Sequence, residues 1–147
     1  VATLFRQTMF AEYELLIHEA VERGEVATAE FMRKTYRGLL ESYFGPIMEF
    51  EDISDIECMR IPHFYNAFYV YKYATGISAS IALADKVLNG NEADRNAYLS
   101  FLKSGGSKYP IESLKLGGVD MSKKESVEKA IKHFAKLLDE LERIIEY

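Results

Sequence analysis

The sequence predicts an all-α fold, a helical bundle of about five to six helices, and three observations carry that prediction. Apolar residues recur at helical spacing along almost the whole chain. Glycine and proline cluster at 45–46, 105–106 and 117–118, where such a pattern has to stop. No stretch alternates apolar and polar residues in the manner of a half-buried strand.

Taken in order, Leu4, Phe5, Met9, Phe10, Tyr13, Leu16, Ile17 and Ala20 mark one face of a first helix that stops near Gly24. A second helix over 27–43 turns Phe31, Met32, Tyr36, Leu39, Leu40 and Tyr43 to one side and ends at Gly45-Pro46. Residues 46–61 are the least regular, with acidic Glu49, Glu51, Asp52 and Asp55, and are read as a loop holding at most one short helix. Pro62 suits the first turn of a third helix, expected over 62–88 and stopped by Asn89-Gly90. Asn91 caps a fourth helix with Ala97, Tyr98, Phe101 and Leu102. A short helical turn follows Pro110. Ser122 and Glu125 have the spacing of a capping box for the last helix. Its stripe runs through Val127, Ala130, Ile131, Phe134, Leu137, Leu138, Leu141, Ile144 and Ile145.

The length of 147 residues fits one domain, and 1–147 is expected to form a single helical segment. A formal net charge of -5, with both signs interspersed, leaves no footprint for nucleic acid or an anionic membrane. Most acidic residues fall on helix faces, where solvation accounts for them. Nothing approaches the roughly 20 apolar residues that cross a bilayer. Cys58 is the one cysteine, which excludes an internal disulfide and reads as a small apolar residue in a reducing, cytoplasmic setting. The chain opens on Val1 directly into a helical pattern, as expected of a fragment, a processed chain or a chain whose beginning is missing.

Chemistry concentrates in Ile61-Pro-His-Phe-Tyr-Asn-Ala-Phe-Tyr-Val-Tyr-Lys-Tyr-Ala-Thr-Gly76, where tyrosines at 65, 69, 71 and 73 would project around a helix. Two readings stand: aromatics serving core and interface with His63 bonded to a carbonyl, or His63 and tyrosines donating hydrogen bonds to a polar substrate. His18-Glu-Ala-Val-Glu22 comes nearest to a zinc helix, but Glu22 stands where a second histidine is required. His18, Glu19 and His133 are therefore read as surface residues, and no metal ligand is assigned. Lys103-Ser-Gly-Gly-Ser107 lacks the order of a phosphate loop and reads as a helix-ending turn.

Four stretches resemble the C-terminal part of the oligoendopeptidase F family of zinc metallopeptidases, in the thimet oligopeptidase-like clan. They are Thr3-Leu-Phe-Arg-Gln-Thr-Met-Phe-Ala-Glu-Tyr13, Ile61 to Gly76, Tyr98-Leu-Ser-Phe-Leu-Lys-Ser-Gly-Gly-Ser107 and Gly118-Val-Asp-Met121. The resemblance implies the C-terminal part of a larger helical peptidase that cuts internal bonds of short peptides with zinc. It places the zinc-bearing His-Glu-x-x-His part upstream, so this chain alone is expected to bind no metal and to be inactive. It gives His63 the role of transition-state donor, with Tyr71 first, then Tyr73, then Tyr69, as the tyrosine partner. It also sets Gly105 and Gly106 near the peptide backbone.

The partners expected are a short peptide, the missing zinc-bearing part, and further copies of the chain through exposed apolar faces. The competing reading is a non-catalytic helical module that binds a peptide or a partner helix.

Overall fold

The structure is a computed structural model that describes residues 2–145. It contains six α-helices and three shorter helical turns among those residues. The chain divides into two compact units between Ala74 and Thr75.

In the first unit a π-helical turn, Ala2–Arg6, runs into α1, Gln7–Glu22. The second helix, α2, spans Ala29–Phe44. It starts where the Thr28 hydroxyl accepts the Phe31 N–H at 3.2 Å, and it stops at Gly45, whose φ of 73° a side chain would oppose. The two helices bury Met9, Phe10 and Tyr13 against Tyr36, Leu39 and Leu40. Each large side chain sealed there contributes about 1.5–3 kcal/mol of transfer free energy. Tyr13 and Tyr36 meet edge to face, with ring centroids 5.4 Å apart.

The acidic stretch, expected as a loop with room for one short helix, holds a 3₁₀ helix, Ser54–Met59, and its acids are fasteners. Tyr36 is completely buried, and its hydroxyl donates to Glu57 at 2.7 Å. Arg6 pairs with the same carboxylate. Burial, and then the bond to Glu57, push the Tyr36 phenol well above its ordinary range. Asp55 binds Arg33 at 2.7 Å and Arg37 at 3.6 Å, tying this segment to α2. Cys58 lies in the same core, where burial raises its thiol and keeps it protonated.

The third helix departs from its expected span. Pro62–Tyr65 is a 3₁₀ turn, residues 66–70 are not helical, and α3 covers Tyr71–Asn89. The reason is packing. On one continuous helix, at about 100° per residue, Ile61 and Phe64 would point away from Val70. The break lets all three reach the core of the first unit. Phe64 closes on Phe10 and Tyr13, with ring centroids at 5.5 and 5.1 Å.

In the second unit the rest of α3 is followed by α4, Glu92–Ser104, α5, Pro110–Leu116, and α6, Glu125–Ile145. Ala79, Ala82, Leu83 and Val119 form its core with Tyr98, Phe101, Leu114 and Met121. The capping box lies at the start of α4, where Asn91 and Asp94 exchange side-chain and backbone bonds at 3.1 and 3.2 Å. It does not lie at Ser122 and Glu125. Glu125 is the first residue of α6, too early to close a box, and the Ser122 amide and hydroxyl both bond Asp120. Only Ser126 and Ala130 of α6 are buried; Leu137, Leu138, Leu141, Ile144 and Ile145 are exposed. Among the described residues no helix is long and apolar enough to cross a membrane.

The α4 cap has a measurable consequence. Asn91→Ala will lower stability by about 1 kcal/mol in urea titrations, because it strips an N-cap acceptor. The Lys86 ammonium, at 2.9 Å, and the Asn91 N–H hold the Asp94 carboxyl below its ordinary range. A lowered carboxylate stabilises the fold above the ordinary carboxylate range and loses that contribution as pH falls through the lowered value. Asp94→Asn should therefore lower the neutral plateau of the stability profile and flatten its acid limb.

Candidate functional site

His63 sits in the Pro62–Tyr65 turn between two anchors, the buried Ile61 and the core-facing Phe64. With both neighbours held, its imidazole is left half-buried at the surface of the first unit. Beyond it the chain bends at Phe68, whose φ of 57° is left-handed. It then buries Val70 completely and enters α3.

This bend brings Tyr69 and Tyr73 back onto His63. The His63 and Tyr69 rings stack at 5.8 Å with 20° between planes. Tyr73 meets His63 edge on at 6.0 Å and Tyr69 at 5.6 Å. The Tyr73 hydroxyl donates to the Tyr69 oxygen at 3.5 Å, so the Tyr69 proton is left to be donated to a third group. That bond, and then burial, raise the Tyr73 phenol above its ordinary value and keep it a proton donor at neutral pH. The Lys72 ammonium lies 5.0 Å from the Tyr69 ring centre and adds positive charge to the cluster.

Tyr71 ranks first among the tyrosines by sequence. It is half-exposed at the start of α3. Two residues apart on a helix, it and Tyr73 point in directions about 160° apart. Gly105 and Gly106 lie in the second unit, where Gly105, with φ 50°, ends α4; both are exposed. His18 and His133 are exposed. Among the described residues no three of His, Cys, Asp and Glu come together as a metal-holding group.

Two charges of the first unit differ from the solvated acids expected. Asp55 is buried against its arginines, and Glu14 of α1 is 5% exposed, with one carboxylate oxygen accepting the Phe68 N–H at 2.9 Å. The signal for Glu14 was its spacing, one turn after Phe10 and one before Ile17 and His18 on an otherwise apolar face. A cleft of this unit, about 690 Å³, is lined by Phe44, Phe50, Ile53 and Ile56 with Arg6 and Arg60, and none of the predicted site residues borders it.

A half-buried imidazole beside two phenols gathers three groups able to donate hydrogen bonds. The chain is similar to known peptidases over nearly its whole length. The pattern of Peptidase family M3 matches residues 1–133. An oligoendopeptidase F homolog of Borreliella burgdorferi is 45% identical over 146 residues, which are 99% of this chain and 25% of that protein. Oligopeptidase PepF of Bacillus subtilis is 46% identical over 97% of this chain and 21% of its own length. The crystal structure of oligoendopeptidase-F from Enterococcus faecium superposes with a TM-score of 0.95 at 43% identity, covering 99% of this chain and 28% of that one. The chain thus spans about a quarter of the length of the relatives it matches, and by the match over nearly its whole sequence it belongs to peptidase family M3.

Proposed function

We propose that this chain supplies the transition-state donors and part of the cleft wall of a zinc-dependent oligoendopeptidase acting on internal bonds of short peptides. The observation that carries the reading is the grouping of His63 with Tyr69 and Tyr73. The imidazole and the Tyr69 hydroxyl would donate to the carbonyl oxygen of the scissile bond as it becomes an oxyanion. Tyr73 would orient Tyr69 through their shared bond. Tyr71 stays a candidate that binds the substrate from outside this ring cluster, and Gly105-Gly106 a candidate for main-chain contact with the peptide.

The described residues do not fit a zinc site. His18 and Glu19 share a helix, but Glu19 is turned to Arg23 and the His18 ring lies against Phe68. No step is assigned to the metal here. In this reading zinc and the general base belong to sequence outside these residues, within the other three quarters of length that the relatives carry. A cytoplasmic setting belongs to the same proposal.

The exposed face of α6 supports one further element. Leu137, Leu138, Leu141, Ile144 and Ile145 form an apolar stripe that the second unit leaves uncovered. We assign it to packing against the rest of the longer protein.

In the longer protein, His63→Ala should lower kcat by about 100-fold or more with KM little changed, because a donor used in the transition state is lost. Tyr69→Phe should act in the same direction, and Tyr71→Phe should instead raise KM. The 147-residue chain on its own should leave a fluorogenic oligopeptide uncut with zinc supplied. A longer protein that stays silent with zinc supplied would favour the non-catalytic binding module, and an active His63→Ala enzyme would remove the cluster from catalysis. In light scattering the chain should associate with rising concentration, and Leu141→Glu should return it toward a monomer.

A further inference from the structure

We propose that Glu14 is a positioning residue for the His63–Tyr69–Tyr73 cluster, acting through the backbone of Phe68; the catalytic part of this inference rests on the function proposed above. A left-handed φ is disfavoured for a side chain as large as phenylalanine and persists only where its surroundings over-determine it. Phe68 has that φ, and two consecutive turns of α1 grip it. Glu14 accepts its N–H at 2.9 Å. His18, one turn further along, lays its ring 4.6 Å from the Phe68 ring. Backbone and side chain of one residue are thus held by residues four apart on one helix.

The consequence falls on the next residue. Tyr69 follows Phe68 directly, and its stacking on His63 requires the chain direction that the left-handed bend sets. A right-handed Phe68 would redirect the chain that follows it and carry Tyr69 away from the imidazole.

Glu14 is a costly choice for a packing role. Its side chain is buried, and its second oxygen has no hydrogen-bond partner among the described residues. Neutral apolar residues would fill that volume without leaving a carboxylate oxygen unsatisfied. What they could not do is accept the Phe68 N–H.

The test compares Glu14→Ala with Glu14→Gln, whose side-chain carbonyl keeps an acceptor for that N–H. In the longer protein, Glu14→Ala should lower kcat by about 10-fold to 100-fold with KM nearly constant. Glu14→Gln should stay close to the parent. Adding Phe68→Gly to Glu14→Ala should recover part of the loss, since glycine adopts the bend unaided. In the 147-residue chain, the His63 ring proton resonances, shifted by the stacked Tyr69, should move in Glu14→Ala and hold in Glu14→Gln. Where Glu14→Ala fails to fold, Glu14→Asp, which keeps the charge but falls short of the N–H, should move the same resonances. Unchanged resonances in both shortened variants, or a Gln variant as impaired as Ala, would overturn the proposal. Loss of the resonance shift together with a fully active His63→Ala enzyme would leave Glu14 in its positioning role and defeat the assignment of the cluster to catalysis.

Discussion

The first unit depends on one constraint: the chain between Tyr65 and Tyr71 must leave the helix. Ile61, Phe64 and Val70 all belong to one core, and no straight helix presents them to it together. The bend that resolves this conflict places a phenylalanine in a left-handed conformation, and a carboxylate from α1 receives the amide that the broken helix leaves over. The His63–Tyr69–Tyr73 cluster stands on the outer side of the same bend. Core packing and site geometry are therefore settled by the same few dihedral angles.

Around that bend the first unit is fastened by partly buried charge as well as by apolar contact. Glu57 joins Arg6, at the start of the chain, to the Tyr36 hydroxyl at the centre of the core. Asp55 joins two arginines of α2. Their side chains keep part of their surface in water, so each pair contributes modestly to stability. Their geometry ties Ser54–Met59 to the start of the chain and to α2. The segment Ser54–Met59 has few apolar anchors of its own, and the two acids set where it lies along α2. Since it leads directly into Ile61 and His63, the ion pairs also set where the imidazole begins.

Most of the fold was legible in the sequence, because helices announce themselves by period and by their ends. The spans of α1, α2, α4 and α5 follow from apolar spacing, Gly24, Gly45-Pro46, Asn91 and Pro110. The break before α3 was not legible. Residues 65–70, Tyr-Asn-Ala-Phe-Tyr-Val, contain neither glycine nor proline; the break serves the packing of Ile61, Phe64 and Val70 in one core, and Glu14, some fifty positions away, receives the freed Phe68 amide. The capping box drawn at Ser122 failed for a related reason: Asp120 offers a nearer acceptor, so a local turn outcompetes the helix start. The same missing break blurred the site. His63 was legible, but the contacts that Tyr69 and Tyr73 make with it depend on a register that restarts after Phe68 and that spacing alone does not give.

Every contact described for the cluster comes from residues 14 to 73, all within the first unit. Donors that stabilise a developing charge act best when they are already oriented, since turning them during the reaction would consume the stabilisation they provide. Stacked and edge-on rings, a bonded pair of phenols and a bend pinned from a neighbouring helix supply that orientation without help from a metal or a substrate. The relatives that this chain matches are about four to five times as long as it. In the function proposed above, a donor wall built in this way is complete before the remaining sequence docks against it, and its geometry is a fixed feature of the cleft to which the rest of the enzyme conforms.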